Sequence, residues 1–268
     1  MITIDLLSIE QIRQRLTTST VGRRLHLLGE VDSTNVRCQN LARAGAPEGT
    51  VVMAEGQSAG RGRRGRTWFS PSGVNLYASV LLRQSLRARE LPLFSFLASL
   101  ALVGAIEEQG VQAGIKWPND IVVDDKKIAG ALVESGMRGE HVEYAVLGVG
   151  VNLNVEPEAL RAALGSVGLF ATSLAAVIGF AVERNAFAAA FLNQLETWLE
   201  VWKARGPESV RAAWADRDIL AGRHVEVHAD GVGLYEGRVL GLDVGGGLVV
   251  QDTLGRRRTL VSEGVRLL

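Results

Sequence analysis

Apolar runs alternate with short polar segments along most of the chain, and they predict strands and helices in turn. Strands are predicted at residues 24–31, 50–55, 76–82, 113–116, 121–123, 128–135 and 143–151. Helices are predicted at 91–109, 157–164, 172–178 and 181–205, and a further one runs from capping candidates at 32–35 to residue 44. The strand predicted at 143–151 is apolar at almost every position, which is typical of a strand at the centre of a sheet. The pattern indicates a domain of α/β class.

The pattern changes near residue 222, where short alternating strands replace the longer elements. Strands are predicted at 224–228, 234–242, 248–251 and 257–261, with glycine turns at Gly231, 245–247 and Gly255. Short strands with frequent turns are typical of a small barrel. We therefore predict two domains, residues 1–221 and 222–268. The first 22 residues hold one short helical segment, which is too little for a helix-turn-helix.

Composition disfavours several classes of protein. The 268 residues carry 29 basic and 29 acidic side chains. The chain therefore has no net positive charge that would favour binding to nucleic acid or to a membrane surface. The single cysteine, Cys38, rules out an internal disulfide, suits a reducing compartment, and is expected to be a small buried hydrophobe. Residues 1–5 lack the basic start of a signal peptide, and no uninterrupted apolar run reaches ~18 residues. We expect a soluble, cytoplasmic protein.

One stretch concentrates positive charge: residues 60–66 read Gly-Arg-Gly-Arg-Arg-Gly-Arg. Arginine offers a planar set of donors that fits phosphate and carboxylate oxygens, and glycine lets the backbone approach a ligand closely. The segment is therefore predicted to be a mobile loop that wraps an anion. The alternative is a solvated turn whose charge is there by chance. It is disfavoured because four neighbouring arginines repel one another unless something negative binds.

Motifs of other chemistry are weak or missing. Gly60, Gly62 and Gly65 fit the dinucleotide pattern G-x-G-x-x-G, but that pattern should open a helix, and turn residues followed by a strand come next here. The sequence contains no P-loop and no G-x-S-x-G nucleophile motif. His224 and His228 would stand about 13 Å apart on one strand, too far to share a metal. An enzyme with these residues would work by positioning and charge stabilisation.

Polar residues and glycines stand at the ends of, or inside, several predicted strands. Lys116 closes one strand and could place a charge on a phosphate, although a surface lysine in a turn is the plainer interpretation. Residues 32–35 (Asp-Ser-Thr-Asn) could either cap a helix or hold the polar end of a small substrate, and Gln57 could join them. Gly130 and the glycines of 148–150 lie inside strands, which usually marks the close approach of another group.

In combination, these residues resemble the biotin–protein ligase family. The family's loop Gly-Arg-Gly-Arg-x-Gly-Arg-x-Trp matches 60–68, its Lys-Trp-Pro-Asn-Asp matches 116–120, and its Lys-(Ile/Leu)-Ala-Gly-x-Leu-x-Glu matches 127–134. Its Gly-(Ile/Val)-Gly-x-Asn matches 148–152, and its Ser-Thr-Asn falls on 33–35. The resemblance implies a mixed β-sheet flanked by helices, related to class II aminoacyl-tRNA synthetases, followed by a small C-terminal SH3-like barrel.

The resemblance also implies a two-step reaction and assigns residues to it. Biotin and Mg-ATP would give biotinyl-5′-AMP, and a lysine of a biotin carrier protein would then attack this intermediate and release AMP. The implied catalytic residues are Lys116, Arg61 and Arg63. The implied biotin-binding residues are Ser33, Thr34, Asn35, Gln57, Gly60, Arg61, Gly62, Arg63, Trp68, Lys116, Gly130, Gly148 and Gly150. The implied nucleotide-binding residues are Arg64, Arg66, Asn119, Lys127, Ala131 and Asn152, and no metal ligand is assigned.

The small molecules implied are ATP, biotin and Mg²⁺, and the implied partner is the biotin carrier domain of acetyl-CoA carboxylase or a related carboxylase. No nucleic acid and no membrane are expected. The best-known bacterial members begin with a DNA-binding helix-turn-helix that is not seen here, so we expect a ligase without repressor activity. We expect it to be a monomer or a weak homodimer promoted by ligand.

Two alternatives stay open. Lipoate–protein ligases share the general fold, but their Arg-Arg-x-Ser-Gly-Gly-Gly motif is absent from the sequence. A nucleic-acid-binding module would fit an Arg/Gly loop beside a barrel. Neutral overall charge and the lack of aromatics interleaved with the arginines disfavour it.

Overall fold

The structure is a computed structural model that describes residues 6–84, 86–139, 141–229, 233–261 and 264–268. Its larger sheet has eight strands, of which β1 and β2 are parallel and the other neighbours antiparallel, in the order β1-β2-β3-β8-β7-β6-β5 with β4 paired to β8. The strands are β1 (Arg24–Val31), β2 (Thr50–Gln57), β3 (Leu76–Leu82), β4 (Leu86–Arg87), β5 (Gly114–Lys116), β6 (Asp120–Val123), β7 (Lys126–Arg138) and β8 (His141–Val151). The apolar β8 lies in the middle of the sheet, as predicted.

Helices cover the two faces of this sheet unequally. They are α1 (Ile9–Arg15), α2 (Thr34–Arg43), α3 (Leu91–Glu107), α4 (Pro157–Leu164), α5 (Leu174–Ile178), α6 (Arg184–Arg205) and α7 (Pro207–Ala215). The almost wholly apolar α3 is buried between the sheet and α6 and α7. Phe94 meets Trp202 edge-on at 5.0 Å between ring centroids, and Phe96 stacks on Trp214 at 4.4 Å. Aromatic packing therefore closes one face of the sheet.

The opposite face carries α2, and there is room beside this helix. Cys38 of α2 is fully buried against this face, and burial raises the pKa of its thiol to about 12, which confirms it as a packing residue. The strand register places Gly148 opposite Ser79 and Gly150 opposite Gly130. Because side chains alternate between faces, these glycine positions face the α2 side, where they add no side chain to the sheet and other groups can approach it closely.

The second sheet is antiparallel and has five strands in the order β12-β11-β10-β9-β13. They are β9 (His224–Ala229), β10 (Gly233–Leu242), β11 (Leu248–Asp252), β12 (Arg257–Leu260) and β13 (Gly264–Leu267). This is the small SH3-like β unit that the resemblance implied. Trp117 ties it to the larger sheet, since its indole Nε1 donates to the carbonyl of Gly246 at 3.0 Å. The boundary between residues 221 and 222 stays a prediction.

A buried ion pair joins α6 to the larger sheet, and its carboxylate also binds the backbone near the N-terminus. Arg184 is 0% exposed, and its guanidinium lies 2.7 Å from the carboxylate of Glu55 on β2. The other oxygen of Glu55 accepts a hydrogen bond from the backbone N–H of Leu7 at 2.7 Å. An unpaired charge at this position would be costly, so both partners are needed.

Several predicted boundaries differ from the observed ones. The strand predicted at 128–135 begins earlier, at Lys126, because the turn before it is confined to Asp124 and Asp125, which have positive φ. The same strand also continues beyond its predicted end, as far as Arg138, while Glu140 is outside the described residues. A Cβ at Gly136 would come within 2.3 Å of the Tyr144 ring, so this glycine serves cross-strand packing and not a turn.

Other differences are smaller. Gln57 ends β2 and does not follow it, and α6 begins at Arg184 and not at 181. The strand β13 was not predicted, because four residues give too little periodicity. The glycine turn at Gly231 is outside the described residues. Within the described ranges, none of the helices combines the length and the apolar character that a membrane span needs.

Candidate active site

A cavity of about 850 Å³ lies on the bare part of the sheet, beside the N-terminus of α2. It extends from the end of β2 across β8 and β7 to Lys116 on β5, and the second sheet forms its outer wall. Every predicted site residue except Gly60 lines it, so sequence segments more than a hundred positions apart meet around one space. The roles assigned to these residues stay predictions.

Glycines form the floor of the cavity. A Cβ at Gly150 would come within 2.5 Å of Nε1 and Cε2 of Trp68, and one at Gly130 would contact the same indole at 3.5 Å. A Cβ at Gly148 would come within 2.0 Å of Oδ1 of Asn35. Larger residues at these positions would push Trp68 and Asn35 off the sheet, so the glycines determine the shape of the site.

The β2 end of the cavity is polar and buried. Oε1 of Gln57 accepts hydrogen bonds from the backbone N–H of Thr34 at 2.8 Å and from its hydroxyl at 3.1 Å, while Nε2 of Gln57 donates to Oγ of Ser70 at 3.0 Å. Gln57 thereby satisfies a free N–H at the start of α2. Ser33 stands at the N-cap position of α2 but makes no side-chain cap, and the role of residues 32–35 toward a ligand stays a prediction.

Asn35 is held from two sides at this end. It is 4% exposed, and its Nδ2 donates to Oε2 of Glu134 at 2.8 Å. Its Oδ1 accepts a hydrogen bond from the hydroxyl of Ser79 at 2.6 Å. Uncharged donors and acceptors fixed in a buried space suit a neutral polar group of a ligand.

The Arg/Gly segment folds into a small hairpin over the cavity. Arg61 and Thr67 face each other in an antiparallel bridge, and a 3-10 turn over Arg63–Gly65 forms the tip. Arg64 and Gly65 both have positive φ, at 57° and 72°. The mobility predicted for the segment stays a prediction.

Gly60 lies at the base of the hairpin and not in the cavity. Its position is buried, and a Cβ there would come within 2.4 Å of Oγ of Ser70 and 2.5 Å of the carbonyl oxygen of Trp68. The structure therefore separates it from the other predicted binding residues. Its lack of a side chain lets the two ends of the hairpin close.

The arginines of the hairpin have partners that their sequence did not reveal. Nη1 of Arg61 lies 3.0 Å from Oε1 of Glu134, a residue of β7. Nη2 of Arg63 lies 3.5 Å from the carbonyl of Val261 in the second sheet. Arg64 and Arg66 line the cavity as well. The hairpin thus connects the two sheets at the cavity mouth.

Lys116 lies at the opposite end, half-buried at the end of β5. Burial lowers the pKa of its ammonium group, while the nearby Asp120 opposes this effect and Lys127 adds to it. Nζ of Lys127 is 2.6 Å from Oδ1 of Asp120 and 5.1 Å from the centre of the Trp68 ring. The interpretation of Lys116 as a surface lysine is therefore wrong, because it contributes to a cluster of cations inside a cavity.

Two of the predicted nucleotide-binding residues hold the walls together. The side-chain amide of Asn119 donates to the carbonyl of Ala131, whose N–H donates back to the carbonyl of Asn119 at 3.2 Å. The amide of Asn152 donates to the carbonyl of Thr172 at 3.0 Å. Both side chains thus position backbone that lines the cavity.

Part of the cavity was missed by sequence reasoning. The second sheet contributes His228, Leu234 and the segment 264–266, and the α4 region contributes Leu160 and Val167. Arg266 is near enough to Lys116 for its charge to help lower the lysine pKa. These positions are remote in sequence and carry no local motif, so they became apparent only from the tertiary structure. Among the described residues, no group of three His, Cys, Asp or Glu side chains could hold a metal ion.

A mixed sheet with a glycine floor, a buried polar end and a cationic end defines an α/β domain built to bind an anionic ligand. Comparison with known proteins identifies its family. Residues 28–152 match the family model described as the biotin/lipoate A/B protein ligase family. The chain is 32% identical to the bifunctional ligase/repressor BirA of Bacillus subtilis over 253 residues, covering 94% of this chain and 77% of that protein. It is 33% identical to the biotin–[acetyl-CoA-carboxylase] ligase of Paracoccus denitrificans, covering 86% of this chain and 95% of that protein.

Solved structures agree with these relatives. The biotin protein ligase of Aquifex aeolicus in complex with biotin and ATP superposes with a TM-score of 0.75 at 26% identity, covering 92% of this chain and all of that one. The ligase of Leishmania major in complex with biotinyl-5-AMP gives a TM-score of 0.58 at 26% identity, covering 89% of this chain and 99% of that one. The chain belongs to the biotin/lipoate A/B protein ligase family.

Proposed function

We propose that this chain is an ATP-dependent biotin–protein ligase. It joins biotin to ATP as biotinyl-5′-AMP and then transfers biotin to a lysine of a carrier protein. The observation that carries the proposal is a cavity in which a buried, uncharged polar end continues into a cationic end. Biotin has a neutral ureido ring at one end and a carboxylate at the other, so its polarity matches that of the cavity.

The polar end suits the ureido ring. Ser33, Thr34, Asn35 and Gln57 line it, and together they offer hydroxyl and amide groups that can both donate and accept. The ureido ring also needs both, because it has two N–H groups and one carbonyl. The indole of Trp68 and the glycine floor then give the apolar chain of biotin a flat surface to lie on.

The cationic end suits the nucleotide phosphates and the biotin carboxylate. These anions repel each other, and we assign the positive charge that offsets their repulsion to Lys116, Arg61 and Arg63, which all line the cavity. Arg64, Arg66, Asn119, Lys127, Ala131 and Asn152 line the remainder and would receive the rest of the nucleotide. Arg61 reaches a ligand carboxylate only in competition with Glu134.

The reaction then needs no protein nucleophile. A carboxylate oxygen of biotin attacks the α-phosphorus of ATP, and the bond to the leaving pyrophosphate breaks. The neutral amine of the carrier lysine next attacks the carbonyl carbon of the mixed anhydride, the bond to AMP breaks, and the amine loses a proton to solvent. In both steps the residues hold the reactants together and offset negative charge that builds up on phosphate oxygens.

Mg²⁺ enters this proposal as part of the Mg-ATP substrate. Asp120 is a carboxylate that lines the cavity, but its oxygen is held by Lys127, so we assign it no metal. The partner we propose is the biotin carrier domain of a carboxylase, and in support of it the name of the Paracoccus denitrificans relative includes acetyl-CoA carboxylase. We place the reaction in the cytoplasm, where such carboxylases and ATP occur together, with the chain as a monomer or a ligand-promoted dimer.

Pyrophosphate release tests the adenylation step. The full chain is incubated with Mg-ATP and with biotin, lipoate or octanoate in parallel. We expect release that depends on biotin and remains at background with the other two acids. Release with lipoate but not with biotin, or release that ignores the acid altogether, would refute the proposal.

A further inference from the structure

Glu134 lies next to the cavity, on the same face of β7 as the cavity floor. Residues two apart on a strand share a face, so Gly130, Leu132 and Glu134 all point toward the α2 side of the sheet. Gly130 and Leu132 line the cavity. The Glu134 side chain is 21% exposed and sits where α2 and the Arg/Gly hairpin come together.

The two oxygens of this carboxylate bind two different parts of the site. Oε2 accepts the hydrogen bond from Nδ2 of Asn35 at 2.8 Å, and Oε1 lies 3.0 Å from Nη1 of Arg61. Asn35 belongs to the buried polar end, and Arg61 belongs to the hairpin over the cavity. These two residues belong to different parts of the site but share one carboxylate as their partner.

The first contact fixes the orientation of the Asn35 amide. An ionised carboxylate can only accept hydrogen bonds, so the NH₂ group of Asn35 must face Glu134. The carbonyl oxygen of Asn35 therefore faces Ser79, which donates to it at 2.6 Å, and lies over Gly148. With glutamine in place of Glu134, the partner offers both a donor and an acceptor, so the Asn35 amide could turn around and present the opposite pattern to a ligand.

The second contact fixes the base of the hairpin. Arg61 is half-exposed, so by itself it would sample many rotamers. It also stands near other arginines of the hairpin, and an acid beside it reduces their mutual repulsion. Glu134 thereby favours the hairpin conformation in which the cations lie over the cavity.

We propose that Glu134 is a positioning residue that sets the biotin pocket and the cationic hairpin together. Its carboxylate orients the Asn35 amide and holds Arg61, so that polar recognition of the ligand and closure of the hairpin are coupled. Glu134 has no contact with the reacting atoms in this role. The inference rests on the proposed function, since it names the residue that couples two parts of that same site.

Three variants test the coupling in the full chain: Glu134→Gln, Arg61→Gln and the double variant. Glutamine keeps the size of the side chain and one hydrogen bond to Asn35, but it has no charge for Arg61. We expect Glu134→Gln to weaken biotin binding and to speed the release of biotinyl-AMP by roughly tenfold each, as for the loss of a charged hydrogen bond. We expect the double variant to lose no more biotin affinity, and to release biotinyl-AMP no faster, than the more impaired of the two single variants, because both changes break the same contact.

Glu143→Gln is the matched control, since Glu143 is a glutamate of the neighbouring strand β8. It pairs with Arg138 at 2.6 Å, and neither residue lines the cavity. It should leave biotin affinity and biotinyl-AMP release unchanged. Melting temperatures of all variants are measured alongside, and Glu134→Asp replaces Glu134→Gln if the latter does not fold. Wild-type affinity and release in the Glu134 variant, or strictly additive losses in the double variant, would overturn the inference. Failure of the wild-type chain to release pyrophosphate would instead refute the proposed function.

Discussion

The indole of Trp68 lies directly on Gly150, at a distance that no side chain at position 150 would allow. A Cβ there would come within 2.5 Å of Nε1 and Cε2 of the ring. The same ring also carries the ammonium group of Lys127 at 5.1 Å from its centre. Trp68 thus joins the sheet, the hairpin and the cationic end of the cavity, and its position depends on a missing side chain.

Gly150→Ala is predicted to displace Trp68 and to weaken ligand binding. The added methyl group would overlap the indole, and relieving that overlap should cost about 1–3 kcal/mol of stability. We expect the affinities for biotin and ATP, measured by calorimetric titration, to fall by at least roughly tenfold.

Gly29→Ala provides the matched control for that experiment. Gly29 is also a strand glycine, on β1, but nothing lies within 4 Å of the place where its Cβ would stand. This variant should bind both ligands as the wild type does. If Gly150→Ala retains wild-type affinities, the floor does not position Trp68.

Lys116→Ala is predicted to abolish most adenylation while the fold survives. Removing one cation aimed at developing phosphate charge should slow pyrophosphate release by about 10²–10³-fold. The control is Lys203→Ala, because Lys203 is an exposed lysine of α6 that pairs loosely with Glu48 at 3.6 Å. A rate near that of the wild type for Lys116→Ala would remove the role given to this lysine.

The pH dependence of the reaction should report the lowered pKa of Lys116. Burial disfavours the ammonium form, so the lysine loses its charge at a lower pH than a free lysine, which titrates at about 10.4. The logarithm of kcat/KM for ATP should therefore fall on the alkaline side before that pH. Arginine stays charged throughout, so Lys116→Arg should move this fall to higher pH. An identical alkaline limb in both proteins would show that another group titrates.

Arg63→Ala is predicted to let the intermediate escape. Arg63 connects the hairpin tip to Val261 of the second sheet and lines the cavity beneath it. Without this side chain, bound biotinyl-AMP should dissociate about tenfold faster or more, and free adenylate should label lysines of bystander proteins. Arg43→Ala, at an exposed position at the end of α2, is the control. An unchanged rate of biotinyl-AMP release would contradict the prediction.

The sequence predicted the parts of the fold in which local chemistry and global packing agree. The apolar run of β8 and the glycines within it required a central strand against which other groups lie closely, and Asn35 and Trp68 are those groups. The strand predicted from residue 128 begins at Lys126, because strand pairing with Val123 overrides the turn-like composition of Lys126 and Lys127.

Contacts between distant segments could not be predicted in the same way. Nothing near Arg61 in the sequence indicates that its partner is Glu134, and nothing near Lys116 indicates that Arg266 lies close by. The hydrogen bond from Trp117 to Gly246 likewise depends on how the second sheet packs on the first. Such pairs follow from tertiary structure, while motifs record only the residues that must be present.

The most direct measurement of the central claim is the intact mass of a carrier. A purified biotin carrier domain is incubated with the full chain, biotin and Mg-ATP, and its mass is compared with that of the same domain when its acceptor lysine is replaced by arginine. We predict a gain of one biotinyl group on the normal domain and none on the variant, with both biotin and ATP required. A carrier whose mass stays unchanged under conditions that keep the ligase folded would contradict the account.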